Sequence, residues 1–547
     1  MEVEKVNRAI LVGLLAASLV AEVTAASQLQ VKWAVNTSDV FQARTFGAGH
    51  MAAQTVWDVD GDGTKEVVFG TRRGDSRRLW CFDAGGNFEW IFPPISQDGL
   101  PGDPTSKVSL VDVNDDGTYE LCFAARTERL YVLNGKGSVF WIWDNPNIGA
   151  MMYGPPQAYD VDGDGFVELF LADSWGYVHR IDHEGEQVWA LPLADRSVPA
   201  VQPTIADIDR DGECELLLAA GTKVYCINAR TPYVEWSFDA GGVTTFEPAI
   251  VADVNGDGEY EALIGGDTTI SASGAIFCLN YAGMEIWRWE LPDSDSSLLR
   301  DIRHCQSLGD VDGDGRLEMV VMSYLGVFCL DVGGESPTTE WQVNLTEWSE
   351  DGILPGAANN VWSSYQLIAD VDGDGGIEVL LLAPFPIALD GATGVLLAHY
   401  VNEHLLLGMR AENGGWWGDV DGDGVSEWVC ELQGVTHPET QVYCLTMGGA
   451  FPAESPWPEY YCCAYPASYQ SQQAWLTLKG AYSNSLWFPI PEALLQGLLA
   501  MFGLAALRLP CKPSNIKTRA TAGTSGTGNH RELEYADFRV SQSCSCW

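Results

Sequence analysis

One acidic nonapeptide occurs eight times in this chain, and it limits the possible folds more strongly than any other feature. The pattern is Asp-x-(Asp/Asn)-x-Asp-Gly-x-x-Glu, with copies beginning at Asp58, Asp112, Asp160, Asp207, Asp253, Asp310, Asp370 and Asp419. Oxygen-bearing side chains at alternate positions, followed by a glycine for a sharp turn, are how a short loop surrounds Ca²⁺. The repeat therefore predicts up to eight structural Ca²⁺ ions.

The spacing of the copies predicts a propeller. Successive copies begin 46 to 60 residues apart, an interval typical of propeller blades. The glutamate stands at position 9 rather than at position 12 of an EF-hand loop, and the flanking segments run apolar like strands. One repeat, residues 55–92, predicts a strand into the acidic loop and further strands at 66–70, 79–82 and 89–92. Four such strands make one antiparallel blade.

Later repeats show the same third strand, turn and fourth strand, and each of these segments ends at a tryptophan. We expect this recurring tryptophan to pack one sheet against the next; the residues are Trp143, Trp189, Trp236, Trp287 and Trp341.

The eighth repeat lacks a good fourth strand of its own. Its first three strands are predicted near Trp416, Glu427 and Val442, but residues 448–461 do not continue the pattern. Residues 30–35, before the first repeat, read as a fourth strand without a blade. An N-terminal strand added to the last blade would remove the open edge. We therefore predict an all-β, eight-bladed propeller of four-stranded antiparallel blades closed by an N-terminal strand; the alternative is seven blades and a stray repeat.

The acidic loops resemble a known family. Asp58-Val-Asp-Gly-Asp-Gly63 and Asp419-Val-Asp-Gly-Asp-Gly424 are similar to the calcium-binding FG-GAP and VCBS repeats of the integrin alpha-subunit propeller and of many secreted bacterial and archaeal proteins. The resemblance extends from about residue 30 to 460. The turns that begin at Cys81 and Ala388 also resemble the tryptophan-docking repeats of quinoprotein-like propellers. Both resemblances imply the same architecture, and neither fixes a function.

The family resemblance implies a ligand set for each loop: the first, third and fifth residues and the ninth glutamate. The candidate metal ligands are Asp58, Asp60, Asp62, Glu66, Asp112, Asn114, Asp116, Glu120, Asp160, Asp162, Asp164, Glu168, Asp207, Asp209, Asp211, Glu215, Asp253, Asn255, Asp257, Glu261, Asp310, Asp312, Asp314, Glu318, Asp370, Asp372, Asp374, Glu378, Asp419, Asp421, Asp423 and Glu427.

Three loops depart from this pattern. Asn114 and Asn255 each remove one ligand charge, and Arg210 lies inside the fourth loop, so we expect these loops to bind more weakly. The alternative to metal binding is that the loops are Asx-turns that only cap hairpins, because Asp and Gly are common turn residues.

The negative charge of the chain argues against nucleic acid as a partner. Its formal net charge is −45 and its pI about 4.2, whereas a nucleic-acid-binding surface needs clustered Lys and Arg. Without metal, the carboxylates of each loop would repel one another, so metal binding should be linked to stability. An acidic surface that serves only solubility would explain the sign of the charge but not its spacing.

The two ends of the chain carry apolar segments. Residues 1–25 have Lys5, Arg8 and an apolar run over 9–21, which predicts a signal peptide; an uncleaved anchor is the alternative. The propeller should occupy 26–466, followed by a linker at 467–485. Residues 486–509 predict a membrane-spanning or sorting helix, or one docked on the propeller, and 510–547 a polar, disordered tail. We expect a secreted or surface-anchored protein.

Five of the fourteen cysteines fall at one strand position of different blades. Equivalent positions in separate blades are too far apart to pair, so these residues should be small buried apolar side chains; they are Cys81, Cys226, Cys278, Cys329 and Cys444. Cys430 and Cys444 are a candidate disulfide across one hairpin.

Three long connections, 292–304, 345–365 and 401–416, carry aromatic and basic residues on the face opposite the acidic loops. Aromatic rings beside Arg and His donors suit sugars or peptide side chains, although the same aromatics could simply pack the loops. The candidate partner-binding residues are Arg300, Arg303, His304, Trp348, Trp362, Tyr365, His404, Arg410 and Trp416.

The favoured function is non-catalytic: a calcium-stabilised propeller for adhesion or for binding a glycan or an extracellular protein. The repetition supports this, because an enzyme must break the repeat at one place. The alternatives are a polysaccharide lyase or quinoprotein-type enzyme, which the resemblance to such propellers allows, and a structural subunit of an extracellular matrix or filament. Arg300, Arg303 and His304 are the candidates for lyase chemistry.

Overall fold

In the computed structural model the chain forms eight antiparallel sheets, arranged as the blades of a propeller. The residues that the structure describes are 27–36, 54–71, 77–104, 107–125, 128–152, 154–193, 202–241, 248–266, 274–292, 302, 307–323, 326–350, 366–372, 374–382, 386–400, 409–434 and 440–446. The eight-blade prediction is confirmed, and the seven-blade alternative is wrong.

The strands of blades 1 to 4 follow one another in chain order across each sheet. Blade 1 contains β3 (Thr55–Trp57), β4 (Glu66–Thr71), β5 (Arg78–Asp83) and β6 (Phe88–Phe92). Blade 2 contains β7 (Ser109–Val111), β8 (Glu120–Ala125), β9 (Arg129–Leu133) and β10 (Val139–Asp144). Blade 3 contains β11 (Gln157–Tyr159), β12 (Glu168–Ala172), β13 (Tyr177–Ile181) and β14 (Gln187–Pro192). Blade 4 contains β15 (Thr204–Ala206), β16 (Glu215–Ala220), β17 (Lys223–Asn228) and β18 (Val234–Asp239).

Blades 5 to 8 repeat this order, with the N-terminal segment added to the last two. Blade 5 contains β19 (Ile250–Ala252), β20 (Glu261–Gly266), β21 (Ala275–Asn280) and β22 (Glu285–Glu290). Blade 6 contains β23 (Ser307–Gly309), β24 (Glu318–Ser323), β25 (Gly326–Asp331) and β26 (Thr338–Val343). Blade 7 contains β27 (Leu367–Ala369), β28 (Glu378–Leu382), β29 (Pro386–Asp390), β30 (Leu396–His399) and the parallel β1 (Ser27–Gln28). Blade 8 contains β31 (Met409–Gly418), β32 (Glu427–Gly434), β33 (Thr440–Thr446) and, antiparallel to β33, β2 (Gln30–Asn36).

The core lies between neighbouring blades. The second strands are buried along their whole length in blades 1 to 7, because both faces of each sheet are covered by the adjacent sheets. The contact between blades 8 and 1 is of the same kind: Trp416 and Val429 pack in one cluster with Val56 and Phe69.

Buried hydroxyl groups link the first strands of successive blades. Thr55 Oγ1 donates to the carbonyl of Val108 at 2.8 Å, just before the first strand of blade 2. Ser109, Thr204 and Ser307 make the same bond to the following blade, at 2.6 to 2.7 Å. These bonds were not predicted from the sequence, since Ser and Thr at strand starts are not distinctive.

The recurring tryptophan packs between blades, as predicted. In five blades its indole nitrogen donates to a backbone carbonyl in the third-to-fourth-strand turn of the next blade, and the pairs are Trp33–Ala84, Trp90–Gly135, Trp141–His183, Trp236–Tyr281 and Trp341–Gly391; Nε1 of Trp189 in blade 3 has no such partner. In blade 2 the docking residue is Trp141, two positions before the predicted Trp143. A bulge in the fourth strand sets this register, and the bulge could not be located from the sequence.

The described cysteines are buried and free, which confirms the prediction for the five equivalent positions. The prediction of a disulfide between Cys430 and Cys444 is wrong, since both cysteines are free. Cys430 lies opposite Tyr443 and Cys444 opposite Val429, so the two side chains point to opposite faces of the sheet.

The connection 345–365 begins with a short helix, α1 (Leu345–Glu350), where a loop was predicted. Within the described residues, no helix is long and apolar enough to cross a membrane. The predicted signal peptide (1–25), linker (467–485), apolar helix (486–509) and tail (510–547) lie outside the described residues.

Candidate metal centres

All eight acidic loops share one backbone conformation. The first aspartate of each loop accepts a hydrogen bond through Oδ2 from the N–H of the glycine at position 6, at 2.8 to 3.1 Å. That glycine has φ between 84° and 95°, a left-handed conformation that other residues rarely adopt. The aspartate at position 5 accepts from the N–H of position 7 in every loop. The Asx-turns considered for these loops are therefore present.

The ninth residue of each loop is a buried glutamate at the start of the second strand. One carboxylate oxygen, Oε2, accepts the N–H of loop position 2, at 2.7 to 3.1 Å in all eight blades. These glutamates are at most 3 % exposed. A hairpin cap needs no buried carboxylate here, so the glutamate indicates more than a turn.

The carboxylates of several loops converge within reach of a single ion. Their ligand atoms lie within 4.8 Å of one another, and the described groups include Asp58–Asp60–Asp62, Asp160–Asp162–Glu168, Asp207–Asp209–Glu215, Asp310–Asp312–Glu318 and Asp370–Asp372–Asp374. The donors are oxygen atoms only, the set that hard cations such as Ca²⁺ prefer.

Several of these oxygens have no hydrogen-bond partner. Oε1 of Glu318, a residue with no exposed surface, is buried without one, as is Oδ1 of Asp207 and of Asp253. A buried carboxylate oxygen left unpaired is costly, and a cation at the centre of the loop would satisfy it. The residues present therefore fit a divalent metal ion.

The pKa values of the loop glutamates also indicate a site for a cation. Burial raises the pKa of Glu66, Glu120 and Glu261 to about 7, and the neighbouring loop carboxylates add to the rise. Burial and the same repulsion raise the pKa of Glu318 and Glu378 to about 8.

Each fourth strand contains a β-bulge, and in four blades the bulge residue is a charged side chain beside the acidic loop. The pairing of the third and fourth strands skips one residue in all eight blades, and the skipped residues are Glu89, Phe140, Val188, Glu235, Ile286, Glu340, Leu397 and Lys32. Glu89, Glu235 and Glu340 raise the pKa of the loop glutamates of blades 1, 4 and 6 by like-charge repulsion. In these three blades the bulge residue therefore adds negative charge beside the loop.

In blade 8 the bulge residue is basic. Lys32 Nζ lies 2.7 Å from Asp421 Oδ2, 2.8 Å from Asp423 Oδ2 and 2.8 Å from Glu427 Oε1. Its ammonium group thus contacts the third, fifth and ninth residues of the eighth loop, which are three of the four predicted ligands.

Blade 3 also carries a basic side chain in its loop, supplied by the third strand. Arg180 Nη2 lies 2.5 Å from Asp162 Oδ2 and 2.9 Å from Glu168 Oε1. Arg180 stands at the strand position that Cys226 holds in blade 4, since both pair with the residue two positions after the loop glutamate. Neither Lys32 nor Arg180 was singled out from the sequence; their places in the blade alignment were the available signal.

Two of the three departures from the loop pattern, Asn255 and Arg210, make contacts that the other loops lack. Asn255 Nδ2 donates to Glu261 Oε1 at 3.3 Å, so this amide supplies a partner that a carboxylate would not. Arg210 adopts φ of 61°, and its guanidinium lies 4.1 Å from the ring centre of Tyr260 in the next blade.

Two of the candidate partner-binding residues contribute to packing. Trp416 is 4 % exposed and belongs to the cluster between blades 8 and 1, and Trp348 packs against the core beside blade 7. Arg410 lies in β31, but its side chain is outside the described set. The remaining candidates, Arg300, Arg303, His304, Trp362, Tyr365 and His404, also lie outside the described residues.

The comparisons with known proteins concern the fold. No family model matches the chain, and a search of curated proteins found no significant match. Among solved structures, the Dos1 propeller is 12% identical, with a TM-score of 0.48 and coverage of 77% of this chain and 96% of that one. A quinohemoprotein alcohol dehydrogenase from Comamonas testosteroni is 12% identical, with a TM-score of 0.48 and 78% coverage of each chain. The V. cholerae biofilm matrix protein Bap1 is 14% identical, with a TM-score of 0.39 and coverage of 77% and 91%.

Proposed function

We propose that this chain is a non-catalytic, calcium-stabilised β-propeller that acts outside the cell or at its surface. The observation that carries the proposal is the convergence of carboxylates in several of the loops, together with the buried glutamate of each loop and the unpartnered Oε1 of Glu318. A divalent cation supplies the missing positive charge and joins the first and second strands of the blade. The FG-GAP-like loop pattern agrees with this role.

Calcium is the metal that the donor set suits best. The loops offer carboxylate and amide oxygens, and Ca²⁺ accepts several such ligands with flexible geometry. Extracellular calcium is abundant enough to fill sites of modest affinity, so a secreted or surface-anchored location accords with the proposed loading.

We further propose that the N-terminal strand closes the ring. Gln30–Asn36 supplies the fourth strand of blade 8, and Trp33 of this strand donates to the carbonyl of Ala84 in blade 1 at 2.8 Å. The strand thereby takes the place that the fourth strand fills in every other blade, and it covers an edge that would otherwise be free to pair.

The binding role rests on the uniformity of the blades. Every blade has four antiparallel strands, an acidic loop and a bulge, and a catalytic propeller would have to depart from this pattern at its active site. Partners of such a scaffold are glycans or extracellular proteins, recognised by loops between the blades.

The binding role is tested by probing the full chain on arrays of glycans and extracellular proteins, with calcium and with chelator. We expect retention of at least one ligand class in calcium and its loss in chelator, without release of product. Acidic polysaccharides are assayed in parallel for the absorbance of unsaturated uronates, and turnover there would contradict a non-catalytic role.

A further inference from the structure

We propose that Lys32 and Arg180 take the place of the metal ion in the eighth and third loops, so that the fully loaded protein holds six Ca²⁺ ions. This inference rests on the proposed calcium loading of the other loops. It assigns two internal cations to sites that the sequence repeat alone would count as metal sites.

The position of Lys32 makes it a substitute for the ion. Its Nζ contacts Asp421, Asp423 and Glu427 at 2.7 to 2.8 Å, so one positive charge lies against three of the carboxylates that would bind the metal. Glu427 has no exposed surface. Because the ammonium group already fills the space between these oxygens, an ion could enter only by displacing it.

Arg180 plays the equivalent part in blade 3. The side chain is almost fully buried, and Nη2 contacts Asp162 and Glu168, the third and ninth residues of the loop. Its second terminal nitrogen donates to the carbonyl of Arg230 in blade 4, at 3.2 Å. The guanidinium is therefore held in place from two sides and cannot easily yield to an ion.

The other six blades have no basic residue at either of these two positions. At the bulge they carry Glu89, Phe140, Glu235, Ile286, Glu340 and Leu397, and at the third-strand position they carry Cys81, Val132, Cys226, Cys278, Cys329 and Ala388. An acidic bulge residue adds negative charge near the loop, and an apolar one leaves the loop charge unchanged.

Arg316 in loop six is a different case. It is about half exposed, and it contacts Asp314 of its own loop and Asp331 of the third strand. The carboxylates converge in loop three and in loop six alike, but Oε1 of Glu168 contacts Arg180, whereas Oε1 of Glu318 stays unpartnered. Loop six therefore remains a metal site.

The blade that uses the N-terminal strand is then fastened without calcium. Lys32 lies on β2 and its three partners lie on the loop between β31 and β32, so the ion pairs join the two termini of the propeller directly. Calcium removal would loosen the six metal-loaded blades while leaving this connection intact.

The inference is tested by counting bound Ca²⁺ in the full chain, by equilibrium dialysis at saturating calcium. We expect six ions in the wild-type protein, seven in Lys32→Met and in Arg180→Met, and eight in the double variant. The matched controls are Lys65→Met, which removes a lysine that donates to the Asp419 carbonyl of loop eight and lies over the ring of Trp416 without contacting a loop carboxylate, and Arg288→Met, which removes a surface ion pair. Both controls should retain six ions.

A second pair of variants keeps the test independent of whether the first ones fold. Glu427→Gln in loop eight should leave the count at six, whereas Glu318→Gln in loop six should lower it to five. Eight ions in the wild-type protein, or the loss of one ion in Glu427→Gln, would overturn the inference and leave the calcium proposal standing. A count of zero in the wild-type protein would overturn the calcium proposal itself.

Discussion

At the scale of single residues, the loop glutamate is the group in each blade whose ionised form is energetically most costly to bury. It is buried beside aspartates, and its charge is matched by a basic side chain only in blades 3 and 8 of the described structure. Burial of an unmatched charge opposes folding, and a cation beside it removes that cost. The repeat thus makes the folded state depend on a supplied positive charge.

The metal-free protein should lose stability as the pH rises above neutrality. The pKa of Glu66 is raised to about 7, that of Glu318 to about 8 and that of Glu215 to about 9, mainly by burial, from 4.5 in an unfolded chain. A raised pKa means that the folded state holds these protons more tightly than the unfolded state. This contribution is complete below about pH 4.5, falls progressively above that pH, and is gone once the pH has passed the folded-state pKa values of about 7 to 9.

The measurement is the melting temperature in chelator from pH 6 to pH 9, repeated with saturating calcium. We expect a steady decline in chelator and a nearly flat profile with calcium, because the bound ion stabilises the ionised carboxylates. Equal slopes in the two series would contradict this account of the glutamates.

The loop ligands were predictable residue by residue because the backbone conformation follows locally from Asp and Gly at fixed spacing. The basic side chains that occupy the loops of blades 3 and 8, Arg180 and Lys32, were not predictable in this way. Lys32 lies nearly 400 residues from its partners along the chain, and it reaches them only because a strand bulge turns it toward the loop. Strand pairing between chain ends and the location of a bulge depend on tertiary packing, which short-range sequence patterns do not contain.

At the scale of elements, the fourth strand performs two tasks through adjacent residues. In blades 1 and 6, for example, the bulge residue (Glu89 or Glu340) lies near the acidic loop of its own blade, and the next residue is the tryptophan that docks on the following blade. Trp341 is the clearest example: its Nε1 donates to the carbonyl of Gly391 at 2.6 Å. Gly394 leaves the space for this ring, since a Cβ there would lie 2.7 Å from Trp341 Cε3.

Replacing Trp341 by Phe should destabilise the protein more than the same change at Trp189. The two tryptophans occupy the same strand position and are 8 % and 9 % exposed, but Nε1 of Trp189 is buried without a hydrogen-bond partner. Removal of Trp341 Nε1 loses a bond and leaves the Gly391 carbonyl unpaired, which costs about 1 kcal/mol more. Chemical denaturation of both variants in calcium measures the difference.

Trp189→Phe is the control for the loss of ring size. If the two variants were equally destabilised, the indole hydrogen bond would contribute nothing to the contact between blades.

At the scale of the whole molecule, the number of blades and the strand order follow from the repeat, because each copy predicts the same acidic loop and the same strands around it. The burial of five cysteines was predictable from their equivalent positions in the blades. The faces on which Cys430 and Cys444 lie were not predictable, because a shift of one residue in the strand register exchanges the two faces of the sheet. The hydroxyl bonds between first strands likewise require the packed ring. The loops that would carry a partner gave no comparable pattern.

The central claim is that bound calcium holds the blades together, and thermal unfolding of the full chain against free calcium tests it most directly. Ligand binding to the folded state alone raises its stability in proportion to the logarithm of the free concentration. We predict a melting temperature that rises continuously with calcium and exceeds that in chelator by more than about 5 °C, with magnesium much less effective. A melting temperature that does not change between chelator and about 10 mM calcium would contradict the account.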